Sequence, residues 1–405
     1  MKILYLHQYF KFPSENGGTR SYDLATGFAE KGYEIEIVTS TSDPEYNQAK
    51  RWVKLQKDGL IVHYIYLPYG NHLSYFKRSL VFFQFLWFAS FKLLAIKTDL
   101  VLATSTPLSI GIPALIKKWI TKTPFVFEAR DVWPEAVIAI GAIKNIYLQK
   151  LLYQLERIIY KNAAAIVPLS VDMKKSIVDR YPQFKTKPIE IIENISEIRR
   201  FQNSHNQDKS LLKEKIGFVP RFTVLYAGTF GRVNGIGYVV KLAKEVITID
   251  PTVVFVLIGA GAEKEMITQL ALDEGVLNKN VFILDPVSKQ ELPQLYYECN
   301  MGSSFVIPVK ELWANSANKF FDTLAAGKPI LINHPGWQKD KIESEDIGYV
   351  LPEKIDKFAA HDFVNYTQNV ALIQKQSIRA FEVAKGSYSL EIAVEKYIGV
   401  FNKIL

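Results

Sequence analysis

The sequence predicts an α/β protein made of two Rossmann-like domains, each built on a doubly wound, mostly parallel β-sheet. Short apolar runs rich in β-forming residues alternate with amphipathic helical segments, which is the pattern of repeated βαβ units. The runs come in two series, separated by a polar and charged stretch at 197–221. At 405 residues the chain is long enough for two or three domains.

The predicted strands define the extent of each domain. The first series consists of Ile3–Leu6, Ile35–Thr39, Leu60–Tyr66, Leu100–Ala103, Phe125–Glu128, Ala165–Pro168 and Ile189–Ile192. The second consists of Thr223–Tyr226, Val253–Ile258, Val281–Leu284, Gly302–Val306 and Ile330–Ile332. We therefore expect an N-terminal domain over 1–200, a C-terminal domain over 201–389, and a final amphipathic helix over 390–405 that could cross back to the first domain.

Composition narrows the choice of partners. The formal net charge of +8 indicates an anionic partner, either a nucleotide, a phospholipid or a nucleic acid. Nucleic acid is the least expected of these, because the basic residues are scattered and no nucleic-acid motif is present.

The single cysteine, Cys299, excludes an intrachain disulfide, fits a reducing cytoplasm and is expected to be buried rather than nucleophilic. The apolar run at 3–6 is too short for a signal peptide and is predicted as the first strand.

The loop after the first predicted strand carries two adjacent glycines. In doubly wound sheets, ligands bind in loops beyond the carboxyl ends of the strands, and two such domains facing each other would leave a cleft between them. Gly17 and Gly18 precede a helix that contains Arg20, so backbone N–H groups could approach a ligand closely. A simple glycine turn explains the pair equally well.

The loop after the fifth predicted strand concentrates charge. Glu128, Arg130, Asp131 and Glu135 fall within 127–135, together with a tryptophan. Asp131 is the first candidate for the residue nearest a substrate hydroxyl, and the other three are further candidates. The alternative is a solvated turn.

The second domain opens with a glycine-rich loop between a strand and a helix. Gly228, Thr229, Gly231, Arg232 and Asn234 lie in this loop, where close amides and a guanidinium suit a diphosphate. Gly259 ends the next strand, where tight packing is the better explanation of a lone glycine pair. Val287 lies just past another strand, where a nucleobase could rest on backbone groups.

The stretch 315–329 is predicted as a loop, a short helix and a turn into a strand. Asn315 and Ser316 are suitable N-cap residues, and Gly327 suits the position just past the helix. Lys319 lies in the first turn, where the helix dipole favours an acid, so a cation there indicates a bound anion. Asp322 could accept hydrogen bonds from a sugar hydroxyl. A capped core helix with one exposed lysine and one exposed aspartate is the equally weighted alternative.

The stretch 75–97 is the most hydrophobic part of the chain. Its apolar core, 80–96, is short for a membrane span and is interrupted by Gln84 and Lys92. Its aromatic residues and the basic pair Lys77-Arg78 favour a helix that lies in the membrane interface. A buried helix beside the sheet and a true span are the alternatives.

With these residues in hand, the chain resembles the family-4 glycosyltransferases of the GT-B fold. The resemblance covers essentially the whole chain and rests on the Gly17-Gly18 loop, the glycine-rich loops at 226–235 and 259–261, and above all the segment 318–329. The segment 128–135 is similar to that of the group that builds bacterial O-antigen, capsule and exopolysaccharide, close to its fucosamine-transferring members.

The resemblance implies a retaining transfer of a sugar from a UDP-sugar, without a bound metal or cofactor. Lys319 and Arg232 would stabilise the departing diphosphate, with the glycine-rich loop and the segment Ser316 to Asn318 beside it. Asp322 matches a family glutamate that holds the donor ribose. Asp131 and the glycine loop would face the acceptor. The resemblance also implies an enzyme on the cytoplasmic face of the membrane, with a lipid-linked saccharide of the undecaprenyl type as acceptor and an amino sugar as the group transferred.

Several positions depart from the family pattern. The family's first glutamate falls on Ala314, and Glu311 could replace it only with a rearranged loop. The usual arginine and lysine of the diphosphate loop fall on Thr229 and Asn234. The usual His-Asp pair reads Arg130-Asp131. Two rivals follow: a nucleotide-sugar-binding subunit that has lost activity, and a UDP-sugar epimerase, which can share the two-domain architecture.

Overall fold

The structure is a computed structural model that describes residues 1–15, 17–68, 75–105, 107–202 and 210–405. In the helix that begins at Tyr75, side chains are described from Leu80 onward, so the predicted Lys77-Arg78 pair lies outside the described side chains. The described chain forms two compact units, one of Met1–Glu193 with Leu390–Leu405 and one of Asn194–Ser389.

The first unit contains a seven-stranded sheet within the described residues. Its order is β3-β4-β2-β1-β5-β6-β7, and every neighbouring pair is parallel except β3 with β4. The order reverses at β1, which lies between β2 and β5, so this is the switch point where ligands bind in such sheets. The strands are β1 Lys2–Leu6, β2 Glu34–Thr41, β3 Trp52–Lys57, β4 Leu60–Tyr66, β5 Leu100–Thr104, β6 Phe125–Ala129 and β7 Ala165–Pro168.

Successive side chains of each strand point to opposite faces of the sheet, and helices cover the apolar side chains on these faces. Leu4 and Leu6 belong to the same buried apolar cluster as Phe85 and Ala114 of two covering helices, whereas Tyr5 faces the other side of the strand. The first helices of the unit are α1 Arg20–Glu30, α2 Tyr75–Ala95, α3 Gly111–Thr121, α4 Glu135–Ala139, α5 Ile146–Asn162 and α6 Val171–Arg180.

The second unit contains an all-parallel sheet of six strands within the described residues, in the order β10-β9-β8-β11-β12-β13. The strands are β8 Phe222–Ala227, β9 Val253–Ile258, β10 Val281–Leu284, β11 Met301–Ser304, β12 Ile330–Ile332 and β13 Gly348–Val350. The helices are α7 Ile198–Gln202, α8 Leu211–Ile216, α9 Gly237–Ile247, α10 Lys264–Asp273, α11 Leu292–Glu298, α12 Asn318–Ala325, α13 Trp337–Glu345, α14 Lys357–Gln368 and α15 Val370–Ser387. Two doubly wound domains are thus confirmed.

One strand prediction was wrong, and two strands were missed. Ile189–Ile192 is not a strand: only a bridge from Ile189 to Ile166 forms, because the segment merely flanks the four-residue edge strand β7. β3 was missed because Lys54, Gln56 and Lys57 interrupt its apolar residues and none of its residues is fully buried. β13 was missed because its three residues begin with a glycine and are only half-buried, unlike those of the equally short β12. Cys299 is buried as expected, and burial raises the pKa of its thiol to about 11.

The chain passes from the first unit to the second after Glu193, rather than after residue 200. Asn194 and Ser196 already belong to the second unit, because Asn194 hydrogen-bonds to Asn318 at 2.9 Å and Ser196 to the Phe321 carbonyl at 3.0 Å. The predicted linker stretch at 197–221 carries α7 and α8, and its part at 203–209 lies outside the described residues.

The last helix of the chain, α16 Leu390–Asn402, belongs to the first unit and packs against α1. Phe28 of α1 contacts the rings of Tyr397 and Phe401, with centroid distances of 5.6 and 5.4 Å. The helices approach most closely at Gly27, where an added Cβ would lie 2.5 Å from Cγ2 of Val394. A glycine in the middle of α1 is therefore explained by this contact.

We expect Gly27→Ala to destabilise the protein by about 1–3 kcal/mol, because the new methyl group would overlap Val394 and force the two helices apart. Gly399→Ala is a matched control in α16, where an added Cβ meets nothing within 4 Å, and should be neutral or stabilise by up to about 1 kcal/mol. Urea unfolding measures both changes. Equal stability of the two variants would contradict the contact.

Candidate active site

The carboxyl ends of three neighbouring strands bring polar residues together in the first unit. His7 and Gln8 follow β1, Ser105 follows β5, and Arg130 follows β6. Backbone and side-chain hydrogen bonds tie these ends together, from Ser105 N to the Glu128 carbonyl at 2.9 Å and from Arg130 N to Ser105 Oγ at 2.8 Å. This edge coincides with the reversal of strand order at β1, where doubly wound sheets bind ligands.

A buried ion pair lies just beneath this edge. Arg20, at the start of α1, donates from Nε to Oε1 of Glu128 at 2.9 Å, and the two residues are 5% and 0% exposed. Thr104 and Tyr397 also donate to the same carboxylate, Tyr397 at 2.5 Å. Burial alone would raise the pKa of Glu128, but the charges of Arg20 and Arg130 and these two hydroxyls lower it to about 2.

The remaining donors of Arg20 are also engaged inside the unit. Its guanidinium donates to the carbonyls of Glu193 at 2.5 Å and Ile192 at 3.0 Å. The structure thus gives Arg20 and Glu128 a buried role in holding strand end, helix and chain exit together. Contact with an acceptor, as predicted from the sequence for both, stays a prediction.

The other candidates of the first unit lie nearer the surface. Gly17 and Gly18 are exposed, and Gly17 has a positive φ of 128°, which favours glycine. Asp131 is exposed and Arg130 is half-buried. Glu135 differs, because it pairs with Arg180 and accepts a hydrogen bond from Ser176 at 2.9 Å, so it anchors the loop.

In the second unit, two glycine-bearing loops pack against each other without room for side chains. Gly259 has a φ of 154°, and an added Cβ there would lie 1.8 Å from the Gly228 carbonyl oxygen. Gly228 N in turn donates to the Ile258 carbonyl at 2.9 Å. The Tyr226 hydroxyl donates to the Thr229 carbonyl at 2.8 Å and fixes the turn. Gly259 is therefore a packing glycine, and it holds Gly228 in position.

Lys319 reaches from the first turn of α12 across this loop. Its Nζ lies 5.1 Å from the Tyr226 ring centroid and 3.4 Å from Oδ1 of Asn234. It also packs so close to Gly228 that a Cβ there would lie 3.3 Å from Nζ. Burial lowers the pKa of Lys319 to about 8, with the charge of Asp322 opposing the shift. Lys319 forms no ion pair with a carboxylate among the described residues.

Asp322 lies one turn further along α12, in a cluster of charges from α7 and a neighbouring loop. Burial and the nearby Glu197 raise its pKa to about 7, while Arg200, Lys319 and Lys289 act against this shift. Glu197 and Arg200 pair with each other at 3.3 Å. The carboxyl of Asp322 is thus half-buried and close to balanced between its two protonation states at neutral pH.

The N-cap prediction for α12 was wrong. The helix begins at Asn318 with Ala317 as its N-cap, and no side chain caps it. Asn315 and Ser316 lie before the cap. The Asn315 side chain donates to the Leu312 carbonyl at 2.8 Å and accepts from Gln338 at 3.3 Å, and Oγ of Ser316 is buried without a partner among the described residues. The first N–H groups of α12 are therefore left without a side-chain cap.

The remaining candidates for the donor site differ in how exposed they are to solvent. Arg232 is exposed, and its side chain has no hydrogen-bond or ion-pair partner in the described parts of the chain. Gly231 and Thr229 lie beside it at the loop surface. Val287 packs against the apolar cluster below β10, and Glu311 is exposed on the loop whose Ala314 is buried. The structure brings Gly228, Asn234 and Lys319 together and leaves Arg232 apart from the contacts of Lys319.

Sequence reasoning missed two residues of the first unit's edge, His7 and Gln8. Both directly follow the buried strand β1 and both are buried themselves. A histidine and a glutamine at the carboxyl end of the central strand were a readable signal, because strand ends of this kind carry ligand-binding side chains.

Two family models match the chain along these two units. The model for Glycosyltransferase Family 4 matches residues 17–197, and that for Glycosyl transferases group 1 matches residues 208–365. The chain is a family-4 glycosyltransferase of the GT-B fold. This glycosyltransferase is also similar to spore coat protein SA of Bacillus subtilis, with 22% identity over 245 residues. That alignment spans 58% of this chain and 61% of the relative's length.

Solved structures share the fold over the whole chain. Sucrose-phosphate synthase from Thermosynechococcus elongatus has a TM-score of 0.76 at 15% identity, covering 100% of this glycosyltransferase and 98% of that chain. The Anabaena protein HepE in complex with UDP and glucose has a TM-score of 0.73 at 14% identity and full coverage of both chains. The GT-B fold predicted from the sequence is confirmed.

The stability of the protein should depend on pH through Asp322. Its folded pKa of about 7 lies above the ordinary value of 3.8, so between these values the folded state binds more protons than the unfolded state. Stability from this group is therefore lost as pH rises through that window. We expect Asp322→Asn to gain melting temperature relative to the wild type as pH rises from about 5 to about 8.

The exposed Asp340 in α13 offers a control, since Asp340→Asn should keep a constant difference from the wild type across the same range. A constant difference for Asp322→Asn as well would contradict the raised pKa.

Proposed function

We propose that this glycosyltransferase transfers a sugar from a UDP-sugar to a lipid-linked saccharide, with retention of configuration, in the synthesis of a bacterial surface polysaccharide. The transferred group is proposed to be an amino sugar, as the resemblance of 128–135 to the fucosamine-transferring group implies. The Anabaena protein of the same fold is bound to UDP and glucose, which supports a nucleotide-sugar donor.

The observation that carries the proposal is the position of Lys319. A half-buried cation at the start of an uncapped helix adds its charge to the positive end of the helix dipole. Its pKa of about 8 records the cost of that burial, and the described residues supply no carboxylate in ion-pair contact with it. A diphosphate bound at Gly228 and Lys319 would receive backbone N–H groups and a full positive charge together.

The departing diphosphate would be stabilised by groups that are already in position. Lys319 and the N-terminus of α12 face charge that develops as the sugar leaves, which is where fixed dipoles accelerate a reaction most. Arg232 is exposed beside the loop and could close onto the outer phosphate. Asp322, with its carboxyl near neutrality, could accept a hydrogen bond from a ribose hydroxyl. Asp131 remains the proposed residue nearest the acceptor hydroxyl.

The lipid-linked acceptor is supported by the outer face of α2. Phe83, Trp87 and Phe91 follow one another at intervals of one helical turn and are 67%, 64% and 57% exposed. Large aromatic side chains in this density favour the interface of a membrane. Trp119 on α3 and Tyr147 on α5, from helices packed in the same layer, are exposed as well.

No helix among the described residues is long and apolar enough to cross a membrane. The proposed association is peripheral, through α2, at the cytoplasmic face where such acceptors are assembled. The opposite face of α2, with Phe85, Ala89 and Leu93, is buried in the core of the first unit.

A thermal-shift titration with UDP, GDP and ADP in the presence of EDTA tests the donor. We expect UDP to raise the melting temperature, since a ligand that binds only the folded state stabilises it by mass action. Lys319→Ala should weaken UDP binding by about tenfold or more and slow transfer by roughly 10²–10³-fold, because one charge that stabilises the diphosphate is removed.

Lys310→Ala is the matched control, because Lys310 is exposed in the same unit and should leave UDP binding unchanged. Unaltered UDP binding in Lys319→Ala would remove Lys319 from the site. UDP binding without transfer to any lipid acceptor would favour a binding subunit, for which the buried Ala314 at the family's glutamate position argues. Turnover of the UDP-sugar without an acceptor would favour an epimerase.

Vesicle co-sedimentation tests the membrane contact. We expect a variant with Phe83→Ser, Trp87→Ser and Phe91→Ser to lose at least about tenfold in affinity for vesicles of phosphatidylglycerol and phosphatidylcholine. The control carries Phe358→Ser, Val370→Ser and Ile378→Ser, which remove three exposed apolar side chains of the second unit. Equal vesicle affinity of the two triple variants would contradict a membrane contact through α2.

A further inference from the structure

The end of β1 holds buried polar atoms that the fold leaves unsatisfied. His7 and Gln8 are only 5% and 1% exposed, yet Nδ1 of His7 and Oε1 of Gln8 have no hydrogen-bond partner among the described residues. Such atoms cost free energy when buried, so each needs an explanation, and a ligand is one.

The backbone around these two side chains is held firmly. His7 N donates to the Val38 carbonyl at 3.2 Å, and the Gln8 carbonyl accepts from Thr39 Oγ1 at 3.0 Å and Ser40 Oγ at 3.1 Å. The end of β2 therefore fixes the positions from which His7 and Gln8 project. Their unsatisfied atoms are not the result of a loosely attached loop.

Arg130 supplies a positive charge to the same place. Tyr5 and His7 share one face of β1, and Glu128 and Arg130 share one face at the end of β6. The pKa of His7 falls to about 3 through burial first and the charge of Arg130 second, with Glu128 opposing, so the imidazole is neutral. The Arg130 guanidinium is half-buried and has no hydrogen-bond or ion-pair partner among the residues that the structure describes.

The fold does not neutralise Arg130 with the carboxylate beside it. Glu128 is already held by Arg20, Thr104 and Tyr397, and its Oε1 accepts from two of them. Its negative charge is therefore matched by Arg20 within the buried pair. Arg130 contributes the excess positive charge at this edge.

We infer that His7 and Arg130 form a subsite that binds an oxyanion of the acceptor, a phosphate or a carboxylate. The inference deepens the proposed function and rests on it. A guanidinium offers several N–H donors in one plane, which match two oxygens of such a group, while a neutral imidazole with its proton on Nδ1 can donate one further hydrogen bond. The unsatisfied Oε1 of Gln8 can only accept a hydrogen bond, so it does not contribute to anion binding. A neutral hydroxyl would leave the charge of Arg130 uncompensated.

Two sources share this chemistry: the phosphate groups of a lipid diphosphate carrier, and the carboxylate of an acidic sugar in the acceptor saccharide. Inorganic pyrophosphate and glucuronate are probes for the two, and glucose is the uncharged reference. His7 and Arg130 belong to the first unit and Lys319 to the second.

Calorimetric titration of each probe into protein already saturated with UDP tests the inference, because UDP occupies the proposed donor site. We expect pyrophosphate or glucuronate to bind, and glucose not to bind. Arg130→Gln should weaken that binding by at least about tenfold, and Arg130→Lys by less, since the charge is kept and the planar fork is lost. As single substitutions, His7→Asn and His7→Gln should each weaken anion binding too, by a smaller factor than Arg130→Gln.

Arg157→Gln is the matched control, since Arg157 is an exposed arginine of the same unit and should leave anion binding unchanged. The melting-temperature rise with UDP must be intact in every variant, which shows that each is folded. Absence of anion binding, equal binding by Arg130→Gln, or binding of glucose as tight as glucuronate would overturn the subsite. A failure of UDP to bind would instead contradict the donor proposal, and the anion titration into the unliganded protein would then decide the subsite alone.

Discussion

The buried ion pair between Arg20 and Glu128 is the constraint on which the first unit depends. An ionised carboxylate taken out of water is costly unless its oxygens are fully engaged, and here Arg20, Thr104 and Tyr397 engage them. These residues come from the start of α1, the ends of β5 and β6, and the last helix of the chain. One carboxylate therefore fixes the relative positions of four elements, and removal of any partner would leave a buried charge uncompensated.

The same pair separates the structural charges of this edge from the functional ones. Since Glu128 is held by Arg20, the next charged residue on that face, Arg130, keeps its positive charge at the end of the strand. Arg180 acts in a similar way further along the segment, because it forms an ion pair with Glu135. The charged segment that looked uniform in the sequence thus contains two anchored acids, Glu128 and Glu135, and between them the half-buried Arg130 and the exposed Asp131.

The sequence separation of the contacting residues decides how much of this arrangement could be predicted from the sequence. Strand periodicity is local, so Val253–Ile258 and Leu60–Tyr66 were predicted to the residue, whereas the short β13 was missed. The partner of Glu128 was out of reach, because Tyr397 lies 269 positions away in the chain. Asn315 and Ser316 were predicted as caps from local preference, but the Asn315 side chain bonds to Leu312 and to the distant Gln338 instead, and α12 begins at Asn318 without a side-chain cap. Tight packing was the predicted explanation of Gly259, and the structure agrees, since an added Cβ there would lie 1.8 Å from the Gly228 carbonyl oxygen. The diphosphate contact predicted for the loop of Gly228 stays a prediction.

Lys319 and Asp322 of the second unit, the proposed donor cluster, differ from the buried pair because the fold does not compensate their charges fully. Burial shifts the pKa of Lys319 down to about 8 and that of Asp322 up to about 7, so in both residues the charged form is disfavoured. In the Arg20–Glu128 pair the opposite holds, since mutual contact lowers the pKa of the acid despite complete burial. A charge that the fold itself does not compensate is one that a ligand can compensate, and an anion beside Lys319 would restore its full protonation. The buried Arg20–Glu128 pair thus stabilises the fold, whereas the half-buried Lys319 keeps a charge that suits it to bind a diphosphate.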